Sequence, residues 1–194
     1  VSLFIMSDTE FEYDIIINKC KDIFEKKLKD YGSSWRILRF SSLIDQIFIK
    51  GKRIRNIEET GLQKIQDDIK SEYYGIINYS IICLIQLELG VFEVEKKDID
   101  DDSYDLESDK IISLYDNFTN YAKKLMLDKN HDYGEAWVDM NITSLTDLIL
   151  QKILRIKKID SNNHKTLVSE GVDSNLFDMI NYCVFASIKL KQNV

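Results

Sequence analysis

Asp30-Tyr31-Gly32-Ser33-Ser34-Trp35 returns as Asp132-Tyr133-Gly134-Glu135-Ala136-Trp137, and the register between the two stretches holds far to either side. Upstream, Tyr13-Asp14, Asn18, Lys21 and Lys27 reappear as Tyr115-Asp116, Asn120, Lys123 and Lys129. Downstream, Ser42-Leu43, Asp45, Ile47, Lys50, Arg53 and Ile54 reappear as Ser144-Leu145, Asp147, Ile149, Lys152, Arg155 and Ile156. After a slip of one residue in a loop, Ile77-Asn78-Tyr79 meets Ile180-Asn181-Tyr182. The chain is a tandem duplication. Features kept in both copies point to scaffold, and a feature carried by one copy alone points to function.

Each copy reads as three helices. The chain has no proline and only 7 glycines, which removes the commonest helix breakers. In the first copy, Phe11, Ile15, Ile16, Cys20, Ile23, Phe24 and Leu28 form one apolar stripe at helical spacing, predicting a helix from about Thr9 to Asp30. Gly32 is placed to end it in the left-handed conformation. Ser42 and Asp45 have capping-box spacing and predict a second helix starting there. A third helix is expected from about Leu62 to Leu89; its second half is apolar nearly all round, as suits a buried central helix. The second copy repeats the plan, with helices from about Ser108 to Lys129, Ser144 to Asp160 and Asp173 to Lys191. The expected fold is all-α, two three-helix repeats packed as one pseudo-twofold bundle: a first repeat over 9–90, an acidic linker over 91–107, and a second repeat over 108–191.

Composition narrows the function. A net charge of −7 speaks against a surface built for nucleic-acid backbone, where Lys and Arg must neutralise phosphates. Cys20, Cys83 and Cys183 lack disulfide or metal spacing, which fits a reduced, cytoplasmic setting. No apolar run approaches the ~20 residues that span a bilayer. Val1-Ser2-Leu3-Phe4-Ile5 is too short for a signal peptide and lacks a basic start, and Met6 offers a conventional initiator. Asp100-Asp101-Asp102 lies in the linker without the turn glycine and alternating ligands of a calcium loop.

The last helix holds the sharpest candidate. Asp178 and Asn181 share one face of a largely apolar segment, and a carboxylate there needs a cation partner or a metal. The first copy has Gly75 opposite Asp178, but Asn78 opposite Asn181, so Asp178 is the addition. An ion pair to Lys152 or Arg155 is one reading, and a metal site the other. Lys152 and Arg155 lie three apart on a helix, as Lys50 and Arg53 do, and such a pair can hold a di- or triphosphate or bridge to carboxylates. Asp147 reads as a capping-box acid or as a residue of a metal site. Glu170 and Asp173 precede the last helix and are placed to complete an oxygen cluster with Asp178 for Mg²⁺, Asp173 also serving as an N-cap. Tyr133 and Trp137, matched by Tyr31 and Trp35, can stack on a base or anchor packing. His131 and His164 have no pattern for zinc or nucleophilic chemistry.

Lys129 to Trp137, Ser144 to Ile156 with its Lys-x-x-Arg-Ile, and Asp178-Met-Ile-Asn-Tyr182 resemble the bacterial family called nucleotide modification associated domain 1, over nearly the whole chain. That family is in turn similar, more remotely, to the MazG-like all-α nucleoside triphosphate pyrophosphohydrolases. The resemblance implies a nucleotide as partner and a Mg²⁺ ion held by Glu-x-x-Glu on one helix and Glu-x-x-Asp on the next. Asp178-x-x-Asn181 lies where Glu-x-x-Asp is expected, whereas Asp147-x-x-Leu150 offers one acid in place of two. Carried over, Asp178 and Glu170 would be catalytic; Asp178, Asp173 and Asp147 would hold metal; Lys152, Arg155, Asn181, Tyr133 and Trp137 would bind the nucleotide. The second copy is then the functional one and the first its structural partner. Release of pyrophosphate from a canonical or modified nucleotide is the leading expectation, and a non-catalytic module binding a protein or a nucleotide is the alternative. A homodimer is a further expectation from families built this way.

Overall fold

Long helices follow from the absence of proline and from apolar stripes at helical spacing. The structure, a computed structural model, describes residues 8–62, 68–91, 104–162 and 171–192. It contains α1 (Asp8–Tyr31), α2 (Phe40–Thr60), α3 (Ile69–Leu89), α4 (Ser108–Tyr133), α5 (Ile142–Ser161) and α6 (Val172–Gln192). A 3₁₀ turn follows the first helix of each copy, at Ser34–Ile37 and Ala136–Asp139. No strand occurs among the described residues, and none of their helices is long and apolar enough to cross a membrane.

Each stripe is satisfied by burial. α2 packs on α3 and α5 on α6 within the copies, while α2 meets α5 and α3 meets α6 between them. α1 and α4 touch each other and lie against both α3 and α6. Exchanging the copies leaves this pattern of neighbours unchanged, which is pseudo-twofold symmetry. One continuous apolar core results, including Ile16, Ile47 and Ile81 from the first copy and Ile149, Ile180 and Val184 from the second. Cys20, Cys83 and Cys183 are buried in it, unpaired to one another, and burial pushes their thiols up.

Polar contacts make the symmetry specific. The Tyr13 hydroxyl donates to Asn181 Oδ1 at 2.8 Å, and the Tyr115 hydroxyl donates to Asn78 Oδ1 at 2.8 Å. Asn181 Nδ2 donates to the Ala122 carbonyl at 3.1 Å, and Asn78 Nδ2 to the Cys20 carbonyl at 3.0 Å. Lys21 reaches Asp116, and Lys123 reaches Asp14, each at 2.8 Å. Thus the first helix of each copy is bonded to the last helix of the other.

α2 and α5 approach closely at Gly51, where an added Cβ would lie 3.0 Å from Leu150 Cδ2 and 3.3 Å from Ile153 Cδ1. Gly51→Leu is therefore expected to overpack the seam and lower the urea-unfolding free energy by about 1–3 kcal/mol. An unchanged midpoint would mean that the seam yields freely.

Helix starts depart from the capping reading. α2 begins at Phe40 after Arg39, and α5 at Ile142 after Asn141, with no side-chain cap bond in either case. Ser42 and Ser144 thus lie inside the first turn, where their amides already find the Arg39 and Asn141 carbonyls, so Asp45 and Asp147 are not capping-box acids. Asp173 is helical in α6 and not its N-cap. α3 begins at Ile69, with Asp68 as its N-cap accepting from the Lys70 amide. Residues 63–67 of the expected longer helix lie outside the described residues.

Candidate functional site

Asp178 faces two lysines. Lys129, near the end of α4, approaches Oδ1 at 2.5 Å, and Lys152, on α5, approaches Oδ2 at 2.6 Å. The Lys152 and Asp178 side chains are only 9% and 12% exposed. Burial by itself raises the Asp178 carboxyl, but the hydrogen bonds and charges of Lys129 and Lys152 outweigh it and hold the group below its ordinary value. The ion-pair reading of Asp178 with Lys152 therefore describes its surroundings, and the carboxylate closes an internal salt-bridge triad.

The first copy solves the same charge problem differently. Lys50 and Arg53, which match Lys152 and Arg155, both pair with Glu72, Lys50 at 3.2 Å. Glu72 lies one turn before Gly75, the counterpart of Asp178. Lys50 crosses over Gly75 to get there, since a Cβ on that glycine would lie 2.8 Å from Lys50 Cε. In the second copy Asn175 stands where Glu72 would be, Lys152 stops at Asp178, and Arg155 lies exposed.

Beside Gly75 there is a cavity of about 690 Å³, built from α1, the loop after it, Lys50 from the middle of α2, and α3. Its walls combine the rings of Phe24, Tyr31, Trp35, Tyr74 and Tyr79 with Lys27, Lys50, Glu72 and Asn78. The loop at its edge is fixed by Asp105, which accepts from the Ser33 amide at 2.7 Å and the Ser33 hydroxyl at 2.6 Å. Those bonds hold the Asp105 carboxyl below its ordinary value. Gly32, with φ of 58°, has no room for a Cβ because the Asp105 carboxylate occupies that space. Arg36 and Gln86 brace the same turn: Arg36 donates to Gln86 and to the Gly90 carbonyl, while Gln86 Nε2 donates to the Arg36 and Leu38 carbonyls.

The remaining sequence candidates are dispersed. Arg155 is exposed on α5 and is not brought into the Asp178 triad. Asn181 has both ends of its amide engaged by Tyr13 and Ala122, so it is a bonded scaffold residue. Trp137 is buried and stacked on Phe185, with ring centroids 4.4 Å apart, which makes it a packing anchor. Tyr133 is exposed at the end of α4. Asp147 is exposed and pairs with Arg55 at 3.6 Å, and Asp173 is also exposed. Glu170 lies outside the described residues.

Magnesium does not fit the described part of this arrangement. It needs free carboxylate oxygens with water or phosphate, yet both Asp178 oxygens are occupied by ammonium groups. Among the described residues no group of three His, Cys, Asp or Glu can hold a metal ion, so Asp147, Asp173 and Asp178 do not assemble into one.

Sequence reasoning passed over Lys27, Glu72 and the cavity beside Gly75. The signal was present, because the Gly75/Asp178 difference was visible, but it was read as a gain by the second copy. Read in reverse, the same difference lets Lys50 lie across Gly75 to Glu72 on the wall of the first copy's cavity.

The fold and the cavity define the class: a duplicated all-α six-helix bundle with an aromatic and cationic cavity between its helices. The chain belongs to the family nucleotide modification associated domain 1, which matches residues 27–87 and 129–190, well over half its length. The two matched stretches begin at the equivalent lysines Lys27 and Lys129, and each contains the loop and the following two helices of one copy. Comparison with curated proteins and with solved structures gave no match.

Proposed function

We propose that this chain is a nucleotide-handling protein that binds a nucleoside phosphate in the first-copy cavity. The observation that carries the reading is the combination of ring faces and cations around one cavity, most of whose lining lies inside a family-matched stretch. A space of about 690 Å³ is in the range of small-molecule sites. Aromatic faces stack on any base, typically contributing ~1–3 kcal/mol per base, and lysines supply charge-assisted hydrogen bonds to phosphate.

Binding without turnover is the form of this function that the described acids favour. Asp178 serves as a counter-ion for Lys129 and Lys152, which leaves it poorly placed to hold a metal or activate water. Mg²⁺-dependent release of pyrophosphate, the activity implied by the MazG-like resemblance, would have to draw on acids beyond those described, such as Glu170.

Titration calorimetry with ribo- and deoxyribonucleoside mono-, di- and triphosphates tests the proposal, run beside a pyrophosphate-release assay with and without Mg²⁺. Saturable binding with no metal-dependent release is expected. Release that disappears in a well-folded Asp178→Ala protein would place a working hydrolase in the second copy instead. Absence of binding across the panel would reject nucleotide handling.

A further inference from the structure

We infer that the part of the cavity beside Gly75, between Lys27 and Lys50, is a phosphoryl-binding subsite, and that Asp178 is the second copy's built-in substitute for the same anion. The inference rests on the nucleotide-binding reading and adds the position and chemistry of the charged group. Three matched pairs carry it: Lys27 with Lys129, Lys50 with Lys152, and Gly75 with Asp178. In the second copy the three residues meet, and a carboxylate sits between two ammonium groups at 2.5 and 2.6 Å. The first copy keeps both lysines on the wall of one cavity but replaces the carboxylate by hydrogen. Lys27 has no ion-pair partner among the described residues, in contrast to Lys129, and it is exposed.

Lys50 and Arg53 both pair with Glu72, and Lys27 places a further cation on the wall of the same cavity. Lys50 lies across Gly75, its Cε 2.8 Å from where a Cβ would be, on its way to Glu72. A phosphoryl group entering the cavity between Lys27 and Lys50 would draw the Lys50 ammonium toward itself and meet the two lysines as the Asp178 carboxylate meets Lys129 and Lys152. The cavity beyond provides the space for a nucleoside, with Tyr31, Trp35 and Tyr74 on its walls.

Gly75→Asp and Lys27→Gln test this on the full chain. Gly75→Asp writes the second copy's solution into the first; the atom in its way is the far end of a flexible lysine, as accommodated around Lys152, so the fold should survive. Lys27→Gln is an exposed substitution that removes one charge. The probes are a nucleoside triphosphate, the matching unphosphorylated nucleoside, and inorganic pyrophosphate, each titrated by calorimetry, with thermal melts to confirm folding. Both variants are expected to weaken triphosphate binding by about tenfold or more, with Lys27→Gln leaving nucleoside binding unchanged. Triphosphate binding at wild-type strength in both folded variants would overturn the subsite while leaving the nucleotide reading intact. Pyrophosphate bound by the wild type and lost in the variants, with no binding of nucleotide or nucleoside, would keep the subsite and sink the nucleotide reading. Failure of the wild type to bind any of the three probes would overturn both.

Discussion

Asp178→Ala is expected to lower the unfolding free energy by about 3 kcal/mol or more, because it strands the buried Lys152 ammonium without its counter-ion. The effect does not come from the strength of the salt bridge itself. Desolvation consumes most of what a buried pair gains, so the loss is dominated by the charge left behind. Removing that charge as well tests the cause: Asp178→Ala with Lys152→Met should recover much of the loss in urea-unfolding experiments. Lys129, half-exposed, can turn to solvent and should matter less. An Asp178→Ala protein with the wild-type midpoint would show that the triad is a surface pairing with no structural weight.

The same residue gives a pH dependence of definite sign. Asp178 and Asp105 both titrate below their ordinary values in the folded chain. Their stabilisation is therefore fully present above the unfolded carboxylate value of about 3.9 and is lost as pH falls through the lower, folded values. Wild type should lose stability in acid more steeply than Asp178→Ala, which has already lost that part. Parallel acid limbs for the two proteins would contradict the lowered Asp178 carboxyl.

Asn181→Ala and Asn78→Ala are each expected to cost about 2–3 kcal/mol, and by similar amounts. Each asparagine is buried and accepts from a tyrosine of the other copy while donating to a main-chain carbonyl. Truncation leaves a buried tyrosine hydroxyl without its acceptor and takes the second donor from a helical carbonyl, and the desolvation of the stranded hydroxyl costs more than an ordinary hydrogen bond contributes. Chemical denaturation of the two variants checks this. A large loss in one and none in the other would mean that the exchange between copies is symmetric in geometry alone.

These two sites mark the boundary of what could be read from the sequence. The asparagines were legible as scaffold because both copies keep them, although their hydroxyl partners were not, since Tyr13 and Asn181 lie far apart in the chain. Asp178 was legible as a residue that needed a partner because a charge in an apolar helix must be compensated. The choice between cation and metal was not legible, because it depends on which side chains a neighbouring helix presents. Lys152 was nameable as one partner; Lys129, on another helix, was not. Trp137, repeated beside a helix end in both copies, read more readily as a packing anchor than as a base-stacking ring, but its partner Phe185 was visible only in the fold. The capping-box spacing of Ser144 and Asp147 was misleading for a related reason: α5 starts two residues earlier, so the pattern falls inside the helix.

The sequence by itself determined the duplication, the six helices and the buried stripe of each, because these follow from periodicity and from residues adjacent in the chain. Only the tertiary structure decided that the first copy has a cavity beside Gly75 and that the second seats its own carboxylate between Lys129 and Lys152. That decision belongs to the three elements that meet around Gly75 and Asp178. A hydrogen in place of a carboxylate changes nothing in helical periodicity, but it changes what the lysines of the neighbouring helices can reach.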